Sequence, residues 1–407
     1  MTLVVQKYGG TSVADLERIR NVALRVKRQV EQGDRVAVVV SAMAGSTNQL
    51  VNWVHELDAA GYDTAEYDQV VASGEQVTVG LLAIALQTMG VPARSFLGWQ
   101  AGFQTDAAYG KARILDIDPA PILTCLEAGK VAVVAGFQGL GPNQRVTTLG
   151  RGGSDTSAVA LAAALNADRC DIFTDVDGVY TTDPRIVSKA RKIDRITYEE
   201  MLEMASLGAK VLQTRSVALA MQHRVRVQVL SSFGDLPGTL VVDEGEIVES
   251  QIVSGIAYSR DEARVTVLGV RDRPGVAASI FGPLSEHGIN VDMIVQSVSR
   301  DGVYANLTFT VSRADLPRAL VVLERAKPEI GYEDLGADAD VCKVSVVGVG
   351  MRSHAGIAHT MFQTLAAKGI NIHAIATSEI KVSVLIGEEY TELALRALHS
   401  AYGLDKD

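Results

Sequence analysis

A lysine and two glycines near the N-terminus are the first residues that could bind a phosphate. The run 7–12 (Lys-Tyr-Gly-Gly-Thr-Ser) follows an apolar stretch and opens a helical pattern. Glycines let a backbone approach a phosphate closely, helix N-terminal amides bind anions, and lysine adds a compact positive charge. A plain strand-to-helix turn with a surface lysine explains this run equally well. It is neither a P-loop nor a clear Gly-x-Gly-x-x-Gly fingerprint.

A second glycine-rich run, residues 147–156, places Gly150, Arg151, Gly152 and Gly153 just before an Ala-rich helical pattern. The guanidinium of arginine offers a fork of donors that matches a carboxylate at two points. Ser154 or Asp155 could simply cap the helix. Capping leaves the arginine and its glycines unexplained, so the run predicts a carboxylate-binding loop.

Two more loops and one carboxylate complete the candidate site. The small-residue run 41–48 follows a strand, where open α/β sheets bind ligands. The run 174–180 also follows a strand and does not fit a calcium loop, because its ligand positions fall on Phe173 and Pro184. An ordinary Asp-Gly turn or a nucleotide pocket with Tyr180 and Arg185 remain as interpretations. Glu75 lies in a first helical turn, where complementing the helix dipole is its simplest role.

These loops require strands and helices in alternation. Residues 36–40, 131–135 and 170–174 are compact apolar runs, typical of strands buried on both faces. A helix is predicted after Ser12, its N-cap, with Leu16 on the buried face and Gly33 as its left-handed end. Further helices are predicted over 73–90 and from about 154 to 167. The alternation predicts a layered α/β domain.

The C-terminal part contains an internal repeat. After a turn cluster at 234–238, Val265 to Val270 matches Val344 to Val349, and Gly288-Ile289-Asn290 matches Gly369-Ile370-Asn371. Each copy is predicted to form a strand, a loop, a helix, a second strand, a hairpin and a third strand. Two copies of this length indicate a paired module and not a solenoid.

The composition narrows the class of protein. The chain has 407 residues, a formal net charge of −10 and 47% apolar residues, which favours two or three soluble domains. The negative charge argues against a nucleic-acid partner. Three scattered cysteines form no disulfide framework or metal spacing, so a reducing cytoplasm is expected. No apolar run is expected to approach the roughly 20 residues of a membrane span, and no membrane partner is expected.

The four loops in their order resemble the aspartate kinases of the amino-acid kinase superfamily. The runs that carry the resemblance are 7–12, 41–45, 150–155 and 174–180, and the repeat looks like that family's tandem ACT domains. The resemblance implies a mainly parallel sheet sandwiched by helices, followed by two α+β (βαββαβ, ACT-like) regulatory domains. The expected boundaries are 1–245, 246–340 and 341–407, and a strand from about 247–260 can be shared between the last two.

The implied activity is transfer of the γ-phosphoryl group of ATP to the β-carboxylate of L-aspartate, with Mg²⁺ carried by ATP. The implied catalytic residues are Lys7, Asp155 and Arg151. The residues implied for ATP binding are Lys7, Tyr8, Gly9, Gly10, Ser41, Thr174, Asp175, Tyr180, Arg185 and Lys210. The residues implied for aspartate binding are Thr47, Glu75, Arg151, Gly152, Gly153 and Ser154. None of these residues is expected to hold a resident metal.

A feedback amino acid, lysine or threonine, is expected to bind between the two repeat copies. The residues expected around it are Asp272, Ala277, Asn290, Val291, Asp292, Gln296, Ile357, Ala358, Asn371, Ile372 and Ser378. The alternative is that these are turn residues of a dimerisation module. A homo-oligomer is expected through the ACT-like domains, and a shorter companion regulatory chain remains open.

Two rival functions remain. One is another kinase of the same fold, acting on N-acetylglutamate, glutamate or a nucleoside monophosphate, against which the tandem repeat counts. The other is a non-catalytic amino-acid sensor, which predicts loss of the lysine and the glycine-rich loops. Both are intact in this chain.

Overall fold

The valine-rich runs of the N-terminal half form adjacent parallel strands. The computed structural model describes residues 2–59, 61–207, 211–247, 252–300 and 302–406. These residues fall into two units. The N-terminal unit comprises residues 2–179, 192–206 and 211–247. The C-terminal unit comprises the segment 180–191, residue 207 and the described residues from 252 onward.

The predicted strands of the N-terminal unit are confirmed and joined by others. In chain order they are β1 (Leu3–Tyr8), β2 (Arg35–Val40), β3 (Ala93–Phe96), β4 (Phe103–Thr105), β5 (Ile114–Ile117), β6 (Val131–Ala135), β7 (Gln138–Leu140), β8 (Val146–Thr148), β9 (Arg169–Thr174), β10 (Arg195–Thr197), β11 (Val227–Ser231) and β12 (Thr239–Val242). The main sheet has the order β10-β12-β11-β9-β1-β2-β6-β3, and only β11 and β12 pair antiparallel. A smaller sheet has the order β5-β4-β7-β8. The predicted turn cluster at 234–238 joins β11 to β12.

Helices flank this sheet. They are α1 (Leu16–Glu31), α2 (Ser46–Leu57), α3 (Thr64–Val71), α4 (Ser73–Thr88), α5 (Ala120–Glu127), α6 (Gly153–Ala164), α7 (Tyr198–Ser206) and α8 (Thr214–His223). The prediction that Ser12 caps α1 is wrong, because Ser12 lies in a 3-10 turn, Gly10–Val13. Asp15 is the N-cap and accepts a hydrogen bond from the amide of Arg18 at 2.8 Å. Leu16, the first residue of the helix, is 52% exposed and not on the buried face.

Helices α3 and α4 are more apolar than the sequence analysis allowed. Residues 64–88 are together long and apolar enough to cross a membrane. The prediction that no apolar run approaches the length of a membrane span is therefore wrong, judged by length and composition alone. Half of the apolar window is buried inside the protein. Two buried carboxylates, Asp68 and Glu75, lie within residues 64–88 and accept hydrogen bonds from other parts of the unit. These are features of core helices.

The C-terminal unit shows the predicted repeat. Its strands are β13 (Gly255–Arg271), β14 (Asp292–Val298), β15 (Tyr304–Val311), β16 (Asp334–Val347), β17 (Ala374–Thr377) and β18 (Lys381–Gly387). Its helices are α9 (Val276–Glu286), α10 (Leu316–Ile330), α11 (Ile357–Ala367) and α12 (Thr391–Ala401). Short 3-10 turns elsewhere in the chain are Pro142–Gln144, Glu244–Glu246, Val349–Ser353 and Glu388–Tyr390. Each copy has two helices, as the βαββαβ pattern implied by the resemblance requires, and one more than the pattern read from the repeat alone.

The two copies share one sheet, in the order β14-β15-β13-β16-β18-β17. The first residues of β13, 255–259, pair with the last residues of β16, while the later residues of β13 pair with β15. The two end strands, β14 and β17, also lie against each other. Met293 and Ala374 are buried at this contact, with Val295 and Ala376 beside them. The sheet thus brings matching strands of the two copies together.

Candidate active site

The loops predicted to bind ligands meet at the carboxyl edge of the main sheet. A Cβ on Gly10 would lie 3.0 Å from the carbonyl oxygen of Ala42, so the loops after β1 and β2 pack directly on each other. After β6, the amide of Gly136 donates to the carbonyl of Val40 at 3.0 Å. A Cβ on Gly136 would lie 2.9 Å from Ser154 at the start of α6. Three strand ends and one helix N-terminus therefore converge.

Lys7 and Asp155 form an ion pair at this edge. The Nζ atom of Lys7, on β1, lies 2.6 Å from Oδ1 of Asp155 in the first turn of α6. Both side chains are 11% exposed. This distance suits a charge-assisted contact between an ammonium and a carboxylate. An ammonium has three N–H bonds, so Asp155 can hold Lys7 in place while other N–H bonds remain available to an anion.

The loop that carries Arg151 is held from both sides. Asp68, fully buried on α3, accepts hydrogen bonds from the amide of Thr148 at 2.8 Å and from that of Gly110 at 2.9 Å. Arg215, on α8, donates to the carbonyl of Leu149 at 2.9 Å. Arg151 itself is exposed, and no described residue forms an ion pair or hydrogen bond with its guanidinium. The loop is fixed and its arginine is open to a ligand.

Two glycines let α6 begin at this point. Gly152 is the N-cap residue and has φ 70°, a left-handed conformation that glycine adopts without strain. A Cβ on Gly153 would lie 2.8 Å from the ring of Phe137. Ser154 and Asp155 lie inside the helix and do not cap it, so the simple capping interpretation is wrong.

Glu75 is a buried carboxylate with one unused oxygen. It is 3% exposed, and Oε1 accepts a hydrogen bond from the amide of Ala42 at 3.0 Å. Among the described residues Oε2 has no partner. Burial raises the pKa of Glu75 from 4.5 to about 7. The simple role as a charge for the helix dipole does not explain a carboxylate buried in this way.

This raised pKa predicts a pH-dependent affinity for a ligand ammonium. Below pH 7 the carboxyl holds its proton, so we expect the KM for an amino-acid substrate to rise up to about tenfold per pH unit as the pH falls. Steady-state kinetics between pH 6 and 8.5 would measure this. Glu75→Gln should raise this KM at pH 8 and should remove its dependence on pH. Glu66→Gln, on the exposed side of α3, is the matched control and should keep it.

The raised pKa of Glu75 should also lower the free energy of unfolding of the protein at high pH. Between pH 4.5 and 7 the unfolded chain loses this proton while the folded chain keeps it, so the free energy of unfolding falls as pH rises. Above pH 7 the penalty is complete, on the order of 3 kcal/mol. Glu75→Gln should therefore melt higher than the parent at pH 8 but not at pH 4. Equal melting differences at the two pH values would contradict a raised pKa.

The residues predicted for the nucleotide side are spread over the strand ends. Tyr8 is fully buried and stacks on Phe173 with ring centroids 4.6 Å apart, so its side chain has no surface for a nucleotide. This part of the prediction is corrected, and only the Tyr8 backbone could contribute. Thr174 ends β9, and its hydroxyl donates to Asp175 at 3.1 Å. Lys210 lies outside the described residues.

Tyr180 and Arg185 belong to the C-terminal unit and not to the unit that carries Lys7. Arg185 is exposed and forms an ion pair with Asp183 at 2.8 Å. Its guanidinium lowers the pKa of Asp183 by hydrogen bonding. Ser41, also predicted for ATP binding, follows β2 and is half-buried. On the aspartate side, Thr47 lies in the first turn of α2 and is also half-buried.

The residues predicted for a regulatory amino acid lie on both copies of the repeat. On the first copy, the exposed residues are Asn290, just before β14, and Asp292 and Gln296, within it. The side-chain amide of Gln296 donates to Oδ1 of Asp272 at 3.5 Å. On the second copy, Asn371 and Ser378 are exposed at the two ends of β17. The remaining predicted residues are half-buried around these strands and the two preceding helices: Ala277, Val291, Ile357, Ala358 and Ile372.

Sequence reasoning missed a buried lysine beside this region. Lys343, on β16, lies 2.5 Å from Glu262 and 2.7 Å from Asp292. Burial alone would lower its pKa, but the two carboxylates together raise it. The signal was weak, since a single lysine interrupts the apolar run of β16. Asp68 and Arg215 were also missed, because their partners lie far away in sequence.

The chain is similar to known proteins along its length. Residues 2–231 match the amino acid kinase family, and residues 264–327 and 344–402 each match the ACT domain. The chain is 56% identical over 407 residues to a Pseudomonas aeruginosa aspartokinase, covering 100% of this chain and 98% of the relative.

Two solved structures of E. coli aspartokinase III are also similar. The complex with aspartate and ADP, in the R-state, has a TM-score of 0.80 and 28% identity, over 98% of this chain and 99% of that chain. The complex with lysine and aspartate, in the T-state, has a TM-score of 0.77 and 29% identity, with the same coverage.

Proposed function

Because the chain belongs to the amino acid kinase family and, within it, to the aspartokinases, we propose that the residues gathered at its sheet edge carry that family's reaction. The enzyme transfers the γ-phosphoryl group of ATP to the β-carboxylate of L-aspartate and forms 4-phospho-L-aspartate. This is the first step toward lysine, threonine and methionine, and end-product amino acids regulate it. Trapping of the acyl phosphate with hydroxylamine tests the activity.

The ion pair of Lys7 and Asp155 is the observation that supports the proposed site most strongly. The β-carboxylate of aspartate is already an anion, so no general base is needed. The task of the protein is to bring two anions together and to stabilise the charge on the transferred group. Lys7, held by Asp155 at 2.6 Å beside Gly9 and Gly10, is placed to do this. The N-terminus of α6 adds backbone amides.

Aspartate binds between Arg151 and Glu75 in this proposal. The open guanidinium of Arg151 takes the α-carboxylate at two points. The unused oxygen of Glu75 accepts from the α-ammonium, which draws the carboxyl into its charged form. Thr47 and Ser154 contribute hydroxyl groups, and Gly152 and Gly153 leave room for the ligand. On the nucleotide side we place Ser41, Thr174, Asp175, Tyr180, Arg185 and Lys210.

Mg²⁺ enters this site with ATP. The two carboxylates near the reacting groups are engaged otherwise, since Asp155 pairs with Lys7 and Glu75 is buried with a raised pKa. No cluster of three His, Cys, Asp or Glu side chains able to hold a metal occurs among the described residues. This donor set fits an ion held mainly by phosphates and water, as Mg²⁺ prefers. The ion would neutralise phosphate charge during transfer.

A regulatory amino acid, lysine or threonine, binds between the matched strands β14 and β17. Asp292 and Gln296 would face its ammonium and carboxylate from one copy, and Asn371 and Ser378 from the other. The contact of β14 with β17 supports this, because it places the two strands that carry or adjoin these residues side by side. Lys343 and Glu262 fix Asp292 beside it.

We expect Gln296→Ala and Asn371→Ala to weaken feedback inhibition. A coupling of about 1–3 kcal/mol corresponds to a 5- to 150-fold effect on affinity, and each variant should lose a large part of it. Activity titrated against lysine, threonine and both together would measure the shift. Gln363→Ala, an exposed glutamine on α11, is the matched control and should respond like the parent. Full inhibition retained in both variants would place the effector elsewhere.

Further proposals concern assembly and location. The face of β14 that carries Gln296 also carries Ile294 and Val298, each 52% exposed, and Ile375 on β17 is 42% exposed. Such a surface favours pairing with a second copy, so we propose a homo-oligomer through the ACT-like domains, with boundaries near residues 245 and 340. The protein would work in the cytoplasm, where ATP and aspartate are available. A shorter companion chain remains an alternative partner for the same strands.

A further inference from the structure

The segment 180–191 interrupts the N-terminal unit in sequence but is built into the C-terminal unit. It begins directly after the loop 174–179 and ends where Lys192 returns to the N-terminal unit. Val187 is buried in the same core as Val253 and Ile256, and Ile186 and Ala190 pack against that core. The segment is therefore part of the second repeat's hydrophobic core.

Thr181 is the polar anchor of this segment. It is 4% exposed, and its backbone carbonyl accepts from the amide of Ile256 at 2.7 Å. Its amide donates to the carbonyl of Arg191 at 2.8 Å, and its hydroxyl accepts from the amide of Arg191 at 3.0 Å. The same hydroxyl lies 2.9 Å from Nε2 of His399 on α12. All polar groups of Thr181 are used.

Helix α12 also holds the segment at other points. The Nε atom of Arg396 donates to the carbonyl of Ile186 at 3.1 Å. After the helix, the carbonyl of Leu404 accepts from Nε of Arg191 at 2.9 Å. His399 is fully buried, and burial lowers its pKa, which favours the neutral ring. A neutral imidazole can form a hydrogen bond with the hydroxyl of Thr181.

We propose that α12 of the second ACT-like copy positions the nucleotide-binding segment through the contact of His399 with Thr181, and so sets the affinity for ATP. The inference rests on the proposed function, in which Tyr180 and Arg185 line the nucleotide side. Thr181 is next to Tyr180 in sequence, so loss of its anchor releases the residue that would contact ATP. Thr181 and His399 are positioning residues and do not touch the substrate.

The test compares Thr181→Val with Thr181→Ser. Valine has the same shape but no hydroxyl, and it leaves buried polar groups unpaired. We expect the KM for ATP, and its dissociation constant measured by calorimetry without aspartate, to rise about 5- to 20-fold. The KM for aspartate should change less than twofold. Thr181→Ser keeps the hydroxyl and should stay close to the parent.

Ser345→Ala is the matched control. Ser345 is buried in the same unit, and its hydroxyl forms a hydrogen bond with the hydroxyl of Ser383 at 2.7 Å. This hydrogen bond does not involve the segment 180–191. This variant should lower the melting temperature without changing ATP affinity. If it raises the KM for ATP as much as Thr181→Val does, the effect is general destabilisation and the proposal fails. Unchanged ATP affinity in a folded Thr181→Val protein would also overturn it.

Arg396→Ala keeps the proposal testable if Thr181→Val does not fold. Arg396 is half exposed, so its loss should be tolerated, and it releases the same segment. We expect a smaller rise in the ATP dissociation constant, about 2- to 5-fold, and no rise would count against the proposal. A parent protein that binds ATP but does not phosphorylate aspartate would refute the proposed function, while the ATP titrations would still decide this inference.

Discussion

Replacing Lys7 with alanine is expected to lower kcat by about 10²- to 10³-fold, the usual cost of losing one preorganised transition-state donor. Lys7 is the cation that the fold holds at the strand end beside Gly9 and Gly10. Its ammonium is buried against Asp155 and is not screened by solvent, so its charge acts strongly on a nearby phosphate. Steady-state kinetics at saturating ATP and aspartate would measure the loss.

The ion pair makes a stability control necessary. Removing Lys7 leaves the buried carboxylate of Asp155 unpaired, which destabilises the fold. The double variant Lys7→Ala with Asp155→Asn removes both charges and should recover stability without recovering activity. Lys27→Ala, on the half-exposed face of α1, is a matched lysine change and should keep full turnover. Turnover of Lys7→Ala within a factor of a few of the parent would make Lys7 a structural residue.

Arg151→Lys is expected to raise the KM for aspartate about 10- to 150-fold. An ammonium cannot reproduce the two parallel hydrogen bonds of a guanidinium, and hydrogen bonds to charged groups contribute about 1.5–3 kcal/mol. The KM for ATP should change little, because Arg151 is placed on the aspartate side. Initial rates with each substrate varied in turn would measure both constants.

Arg145→Lys is the matched control for this change. Arg145 lies just before β8 and forms a surface ion pair with Glu66 at 2.6 Å, which contributes little. Both KM values of this variant should match those of the parent. Equal increases in the two KM values of Arg151→Lys would move Arg151 to the nucleotide side.

Local patterns predicted the strands well because strands buried on both faces are short, apolar and rich in valine. Residues 36–40 and 131–135 form strands as predicted. The start of α1 was predicted wrongly because Ser12 and Asp15 both have side chains that cap helices. Only the path of the chain through the 3-10 turn decides between them.

The supports of the site could not be predicted, because they come from distant parts of the chain. Asp68 holds Thr148 across 80 residues of sequence, and Arg215 holds Leu149 across 66. No periodicity joins such positions. The same holds for Thr181, whose partner His399 is 218 residues away. Runs rich in glycine indicated candidate ligand-binding loops, but only the fold shows what holds those loops.

Hydroxamate formation with ATP, Mg²⁺ and a panel of carboxylates tests the central claim most directly. Hydroxylamine traps an acyl phosphate, so the product reports phosphorylation of a carboxylate. The panel contains L-aspartate, L-glutamate and N-acetyl-L-glutamate, each with and without lysine and threonine. We predict product with L-aspartate alone, at a rate that a feedback amino acid lowers. Product with glutamate or N-acetylglutamate and not with aspartate, or no product with any of them, would contradict the account.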